Sequence, residues 1–99
     1  MKYEIAPKST EIRTNWEAAI MYCFSLTIDG KTGWRLPTND ELTAIYKSKN
    51  DFRGHYYWSS TESNSNTAWA RFMAHGSQFS AKKSSPGVYV RAIRDLKDD

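Results

Sequence analysis

Polar and apolar residues alternate along Lys2–Ile5, which predicts a short strand over 2–5, closed by Pro7. The period then changes. Trp16, Ala19, Ile20, Cys23 and Thr27 fall on one stripe of a 3.6-residue repeat, which predicts a helix over about 15–27. Thr14 followed by Glu17 has the spacing of a capping box at its start. Asp29–Gly30 and Gly33 mark the turn that ends it. A second box, Thr38 with Glu41, opens a shorter helix over about 39–47, with Leu42, Ile45 and Tyr46 as its buried stripe. Residues 48–56 read as loop.

Strand chemistry dominates after residue 55. Tyr56–Thr61 is rich in strand formers. Thr67–Ala74 alternates, with Trp69, Arg71 and Met73 on one face and Ala68, Ala70, Phe72 and Ala74 on the other. His75–Gly76 reads as a tight turn into a hairpin partner over 77–83, and Ser84–Gly87 as another turn. Val88–Arg94 reads as the strongest strand, with Val88, Val90, Ala92 and Arg94 on one face and Tyr89, Arg91 and Ile93 on the other. Residues 95–99 read as a polar tail. The order β–α–α–β–β–β–β predicts one α+β domain over 1–99, two helices packed on a small, mainly antiparallel sheet. The first and last strands are expected side by side. Ser60–Thr67 is the most polar loop and a candidate binding rim.

Composition sharpens this reading in a few places. A chain of 99 residues supports one hydrophobic core. Four Trp and six Tyr can enlarge that core or stand exposed as anchors. The single cysteine, Cys23, rules out an internal disulfide and a cysteine-based zinc knuckle, and reads as a small core hydrophobe. No apolar run approaches the roughly 20 residues that span a bilayer, and Met1–Thr10 has no apolar signal-peptide segment. The expectation is no membrane insertion and no signal peptide, with the chain cytoplasmic as synthesised or virion-associated. The net charge of +3 is spread thinly, which disfavours nucleic acid as a partner.

No residue set announces catalysis. There is no G-x-S-x-G elbow, no P-loop and no G-x-G-x-x-G. Asp40 and Glu41 suit the positive end of a helix, and Asp98–Asp99 sit in the tail. His55 and His75 would have to meet Asp51 or Glu62 to hold a metal, and no motif spacing supports that. No catalytic residue, metal or cofactor is expected.

Several segments together carry a resemblance: Asn15–Cys23, Asp29–Leu42 with its GWRLPTNDEL core, Tyr56–Thr61 (YYWSST), Ala68–Gly76 and Val88–Asp95. They resemble the Lcl C-terminal domain family, formerly a domain of unknown function, over roughly residues 14–95. The resemblance implies a variant of the C-type lectin-like fold. It also implies a setting in bacterial surface or phage proteins, with carbohydrate or glycosaminoglycan adhesion in part of the group. Arg35–Thr38 with Glu41 is similar to a stretch in the formylglycine-generating-enzyme relatives, which share the scaffold. The copper oxidases of that group use two cysteines and the iron enzymes a histidine cluster, and this chain has neither. The tripeptides of calcium-dependent sugar-binding lectin domains are also absent.

The expected function is therefore a non-enzymatic binding module for a glycan, a polyanion or a protein surface. The alternatives are a small phage-type effector that binds and modulates a host protein and, behind it, a nucleic-acid-binding module. Arg53, Tyr56, Trp69, Arg71, Lys82 and Lys83 are the expected ligand-binding residues, because strand aromatics can stack on sugars or anchor a partner and the cations favour an anionic one. The domain is expected to act alone or within a homo-oligomer. Trp34, Arg35, Pro37, Thr38 and Glu41 are expected to form the structural hub. There Pro37 keeps Leu36 extended, Thr38 caps the second helix, and Arg35 pairs with a carboxylate or a row of carbonyls.

Overall fold

In the computed structural model, which describes residues 3–48 and 51–96, the first strand pairs with the last. The start of the expected first strand (Lys2), part of the 48–56 loop and the tail beyond Leu96, Asp98–Asp99 included, lie outside the described residues. The elements are β1 (Tyr3–Ile5), a 3-10 turn (Lys8–Thr10), β2 (Ile12–Thr14), α1 (Trp16–Ser25), β3 (Trp34–Arg35), α2 (Asn39–Lys47), β4 (Tyr56–Glu62), β5 (Thr67–Phe72), β6 (Ser77–Lys82), β7 (Val88–Val90) and β8 (Ile93–Asp95). They form an α+β domain with two sheets, ordered β1-β8-β3 and β2-β7-β4-β5-β6. All pairings are antiparallel except a parallel contact of β4 with β7 at Tyr57 and Tyr89.

The register of the larger sheet explains where the helices go. Trp58, Ala70 and Phe79 are aligned across β4, β5 and β6, so they share one face, while Tyr57, Arg71 and Gln78 share the other. On the first face Trp16, Ala19 and Cys23 of α1 join Trp58, Ala68, Ala70 and Ala81 in one core. On the second, Leu42 and Ile45 of α2 pack with Tyr57, Met73 and Ile93. Burial pushes the Cys23 thiol up to about 12, so it is a core hydrophobe with no nucleophilic character at neutral pH.

Several expectations need correction. The segment 88–94 is not one strand. It passes from one sheet to the other at Arg91–Ala92, where Ala6 inserts: its N–H donates to the Ala92 carbonyl (2.9 Å) and its carbonyl accepts from Arg91 Nε (2.6 Å). The expected alternation survives the break, with Val88, Val90 and Ala92 in the core under α1 and Ile93 and Tyr89 in the core under α2, and Val90, Arg91, Ala92 and Ile93 are buried in succession.

The first helix spans Trp16–Ser25, and Asn15 caps it in place of Thr14. Asn15 Oδ1 accepts from Ala18 N at 2.9 Å, and Thr14 stays extended in β2 opposite Val88. Asn is at least as good a cap as Thr, and the β-branched residue suits the strand. Of the expected stripe, Ile20 faces solvent. Strands β2 and β3, of three and two residues, are not expected from the sequence pattern. Asp95 belongs to β8 and not to a tail.

Two local readings take on a tertiary meaning. β4 is irregular between Trp58 and Glu62, and Ser59, fully buried, supplies the missing hydrogen bonds by donating to the Trp69 carbonyl (2.6 Å) and accepting from Thr61 N (3.1 Å). The Ser59 carbonyl accepts from Trp16 Nε1 (2.8 Å), Ser60 N donates to Pro37 O (2.8 Å), and Thr61 Oγ1 accepts from Asn39 N (3.0 Å). This bulge thus joins both helix starts. At the tight turn, Gly76 has φ +78°, and a Cβ there would lie 2.5 Å from the Tyr46 ring, which covers it.

Candidate functional site

Of the five hub residues, Trp34 and Pro37 are buried. Thr38 and Glu41 complete a reciprocal capping box on α2. Arg35 is a two-sided clamp. Its Nη1 and Nη2 each donate to a Glu41 oxygen at 2.8 Å, and its Nε and Nη2 donate to Asp95 at 3.0 and 2.7 Å. The clamp ties the first turn of α2 to β8, the middle strand of the small sheet. This corner is structural and leaves no open position for a substrate.

The Arg35 guanidinium also holds the Glu41 and Asp95 carboxyls below their ordinary range. Carboxyls lowered in the folded state contribute stability that is fully present above their unfolded pKa, about 4. That stability disappears as pH falls through the folded values. The stability difference between the parent and an Arg35→Met variant is therefore expected to be constant from neutral pH down to about 5 and to shrink below about 4. Urea denaturation across that range measures it. A difference that does not change with pH would refute the clamp.

The six expected ligand-binding residues do not form one patch. Arg53, from the loop before β4, is half exposed, and its Nε donates to Glu11 at 2.8 Å. Tyr56 is exposed at the start of β4, its ring 4.7 Å from Phe72 and 5.3 Å from Phe79. Trp69 is half-buried, in register with Ser80. Arg71 is buried beneath the start of α2, donating to the Gly76 carbonyl (2.6 Å) and Asn39 Oδ1 (3.2 Å), and desolvation lowers its pKa. Lys82 shares the Trp69 face of the sheet, two residues along β6 from Ser80.

Lys82 and Lys83 line an open groove of about 740 Å³ between the start of α1, the β4–β5 loop and the end of β6. The other lining groups are the amides of Asn15, Asn64 and Asn66, the hydroxyls of Ser65, Thr67 and Ser84, and the Glu17 carboxylate. Backbone bonds knit the rim: Trp16 N donates to Lys83 O and Lys83 N to Asn66 O, both at 2.9 Å. Lys83 is committed to the fold, since Nζ pairs with Glu62, donates to the Ser65 carbonyl (3.0 Å) and sits 4.4 Å over the Trp16 ring. Lys82 has no ion pair among the described residues.

Two groove amides are oriented by the backbone. Asn15 Oδ1 accepts from Ala18 N, and Asn64 Oδ1 accepts from Asn66 N (2.8 Å) and Thr67 N (3.0 Å). With the oxygens engaged, the amino groups remain as donors. The polarity of residues 60–67 flagged this rim in advance. Asn15, Glu17 and Ser84 were missed, because they reach it from distant parts of the chain.

The two histidines do not approach each other as ligands: His55 stacks on Tyr89 at 5.4 Å and His75 lies 5.3 Å from Phe72. Among the described residues no group of three or more His, Cys, Asp or Glu side chains could hold a metal ion. No helix among them is long and apolar enough to cross a membrane. The family model described as the Lcl C-terminal domain matches residues 3–94. No curated protein matches the chain.

Proposed function

The chain belongs to the Lcl C-terminal domain family, a family of non-catalytic, lectin-like binding domains, and from that premise we propose that its groove binds a glycan. The carrying observation is the lining. Nine residues surround about 740 Å³, and none has an apolar side chain. Every lining residue carries a hydrogen-bonding group, and a polyhydroxylated ligand is recognised by hydrogen bonds. The groove volume lies within the range of ordinary ligand sites. Trp16, beneath Lys83, is too buried to stack on a sugar ring, so affinity rests on polar contacts.

A glycan array followed by calorimetry at physiological salt tests this reading. Asn66→Ala and Lys82→Ala, both at exposed positions, are each expected to weaken binding by about five- to tenfold without changing the melting temperature. An array with no binder at high micromolar concentration would remove the glycan from consideration.

The second reading, a protein partner, is favoured by a different observation. Ile20, Met21 and Phe24 of α1 are 38%, 64% and 80% exposed. Such residues anchor protein contacts more readily than sugars. A Met21→Ser/Phe24→Ser variant would lose such a partner and keep the glycan.

A further inference from the structure

Four of the six arginines carry carboxylate partners: Arg35, Arg53, Arg91 and Arg94. Arg71 is buried. Arg13 alone is exposed with no carboxylate partner among the described residues. It does not stand in isolation. On β2 it is paired with Tyr89 of β7, and its guanidinium lies over that ring, 5.5 Å from the centroid. Arg53 lies over the same ring at the same distance, and His55 stacks against it with an interplanar angle of 17°.

Two guanidinium groups on one ring repel each other, and the ring quadrupole offsets only part of that. The nearby carboxylates are already engaged: Glu11 bonds Arg91 and Arg53, and Asp51 bonds Arg91. Glu11 takes only Nε of Arg53, so both Nη groups of that residue are without a hydrogen-bond partner among the described residues. The Arg53 fork is thus held in place from behind by a carboxylate whose side chain is 1% exposed. A positioned fork and a second guanidinium over the same ring supply the donors with which arginines bind oxyanions.

We propose that Arg13 and Arg53, held over Tyr89 beside His55, form a seat for an oxyanion, a carboxylate, phosphate or sulfate group of a larger ligand. The seat shares no residue with the groove that binds the glycan, so it stands whether or not that reading holds.

The test is an NMR titration that follows the side-chain Nε–H signals of Arg13 and Arg53 at low salt, with pyrophosphate, tetraglutamate and a heparin-derived oligosaccharide as probes. Saturable shifts of both signals are expected with at least one probe. The probe that saturates lowest identifies the source of the anion. Arg13→Gln, a change at an exposed strand position, should weaken that binding about fivefold or more, and raising the salt should weaken it further. No shift with any probe would overturn the seat. So would shifts unchanged in Arg13→Gln, or equal shifts with a neutral oligosaccharide of the same length.

Discussion

Glu11→Ala is expected to cost about 3–5 kcal/mol, a large share of the stability of a domain this size. Glu11 looks like an ordinary surface acid, yet its side chain is 1% exposed. It accepts from Arg53 Nε at 2.8 Å, from the Tyr57 hydroxyl at 2.7 Å and from Arg91 Nη1 at 3.0 Å. Arg91 is itself only 5% exposed at its side chain, and its Nε is used by the Ala6 carbonyl. Removing the carboxylate strands a nearly dry guanidinium with only Asp51 and Ala6 as partners, and leaves the Tyr57 hydroxyl without its acceptor. Burial and the Glu11 carboxylate both push the Tyr57 hydroxyl upward, so it remains a donor at neutral pH.

Glu11→Gln keeps one acceptor oxygen and should cost less than Glu11→Ala. Urea unfolding followed by tryptophan fluorescence measures both variants. A loss below about 1 kcal/mol for the alanine variant would mean that the network is not what holds the sheet crossing together.

Trp58→Ala is expected to have a comparable effect, about 3–5 kcal/mol, by a different mechanism. Trp58 is fully buried at the centre of the α1-facing core, and its Nε1 donates to the Thr14 carbonyl at 2.8 Å. Truncation leaves a large cavity among rigid neighbours, and the carbonyl loses its donor. Trp58→Phe refills most of the space and gives up the hydrogen bond, so its cost should be nearer 1–2 kcal/mol. The ratio of the two losses separates packing from hydrogen bonding. If phenylalanine were as damaging as alanine, the cavity would not be the main term.

These two residues illustrate how unevenly the molecule can be read from its sequence. Trp58 sits in a segment of strand formers, and its burial follows from its size and setting. Nothing local distinguishes Glu11. It is buried because β2 lies against β7 while residues 51–53 close over it, and both contacts join positions far apart in the chain. The groove shows the same division. The run of serines and asparagines at 60–67 announced a polar rim, but its opposite wall comes from Asn15 and Glu17 and its end from Lys82–Ser84. Tyr56, Trp69, Arg53 and Arg71, expected near one another, are divided by strand register: Trp69 and Arg71 share one face of β5, Tyr56 lies on the opposite face, and Arg53 stands in the loop before β4.

What the sequence determined by itself is whatever nearest neighbours decide. The helix over Asn39–Lys47 and its reciprocal cap, the glycine turns, the β5–β6 hairpin and the α+β class all depend on groups a few residues apart, where propensity and hydrogen-bond reach suffice. Only the tertiary structure decided that 88–94 breaks between two sheets, that Asn15 outcompetes Thr14, and that Arg35 clamps Asp95 as well as Glu41. In each case two local options are nearly equal in free energy. A partner from a distant part of the chain, Ala6, Val88 or Asp95, tips the balance by supplying hydrogen bonds that a buried backbone or charge cannot do without.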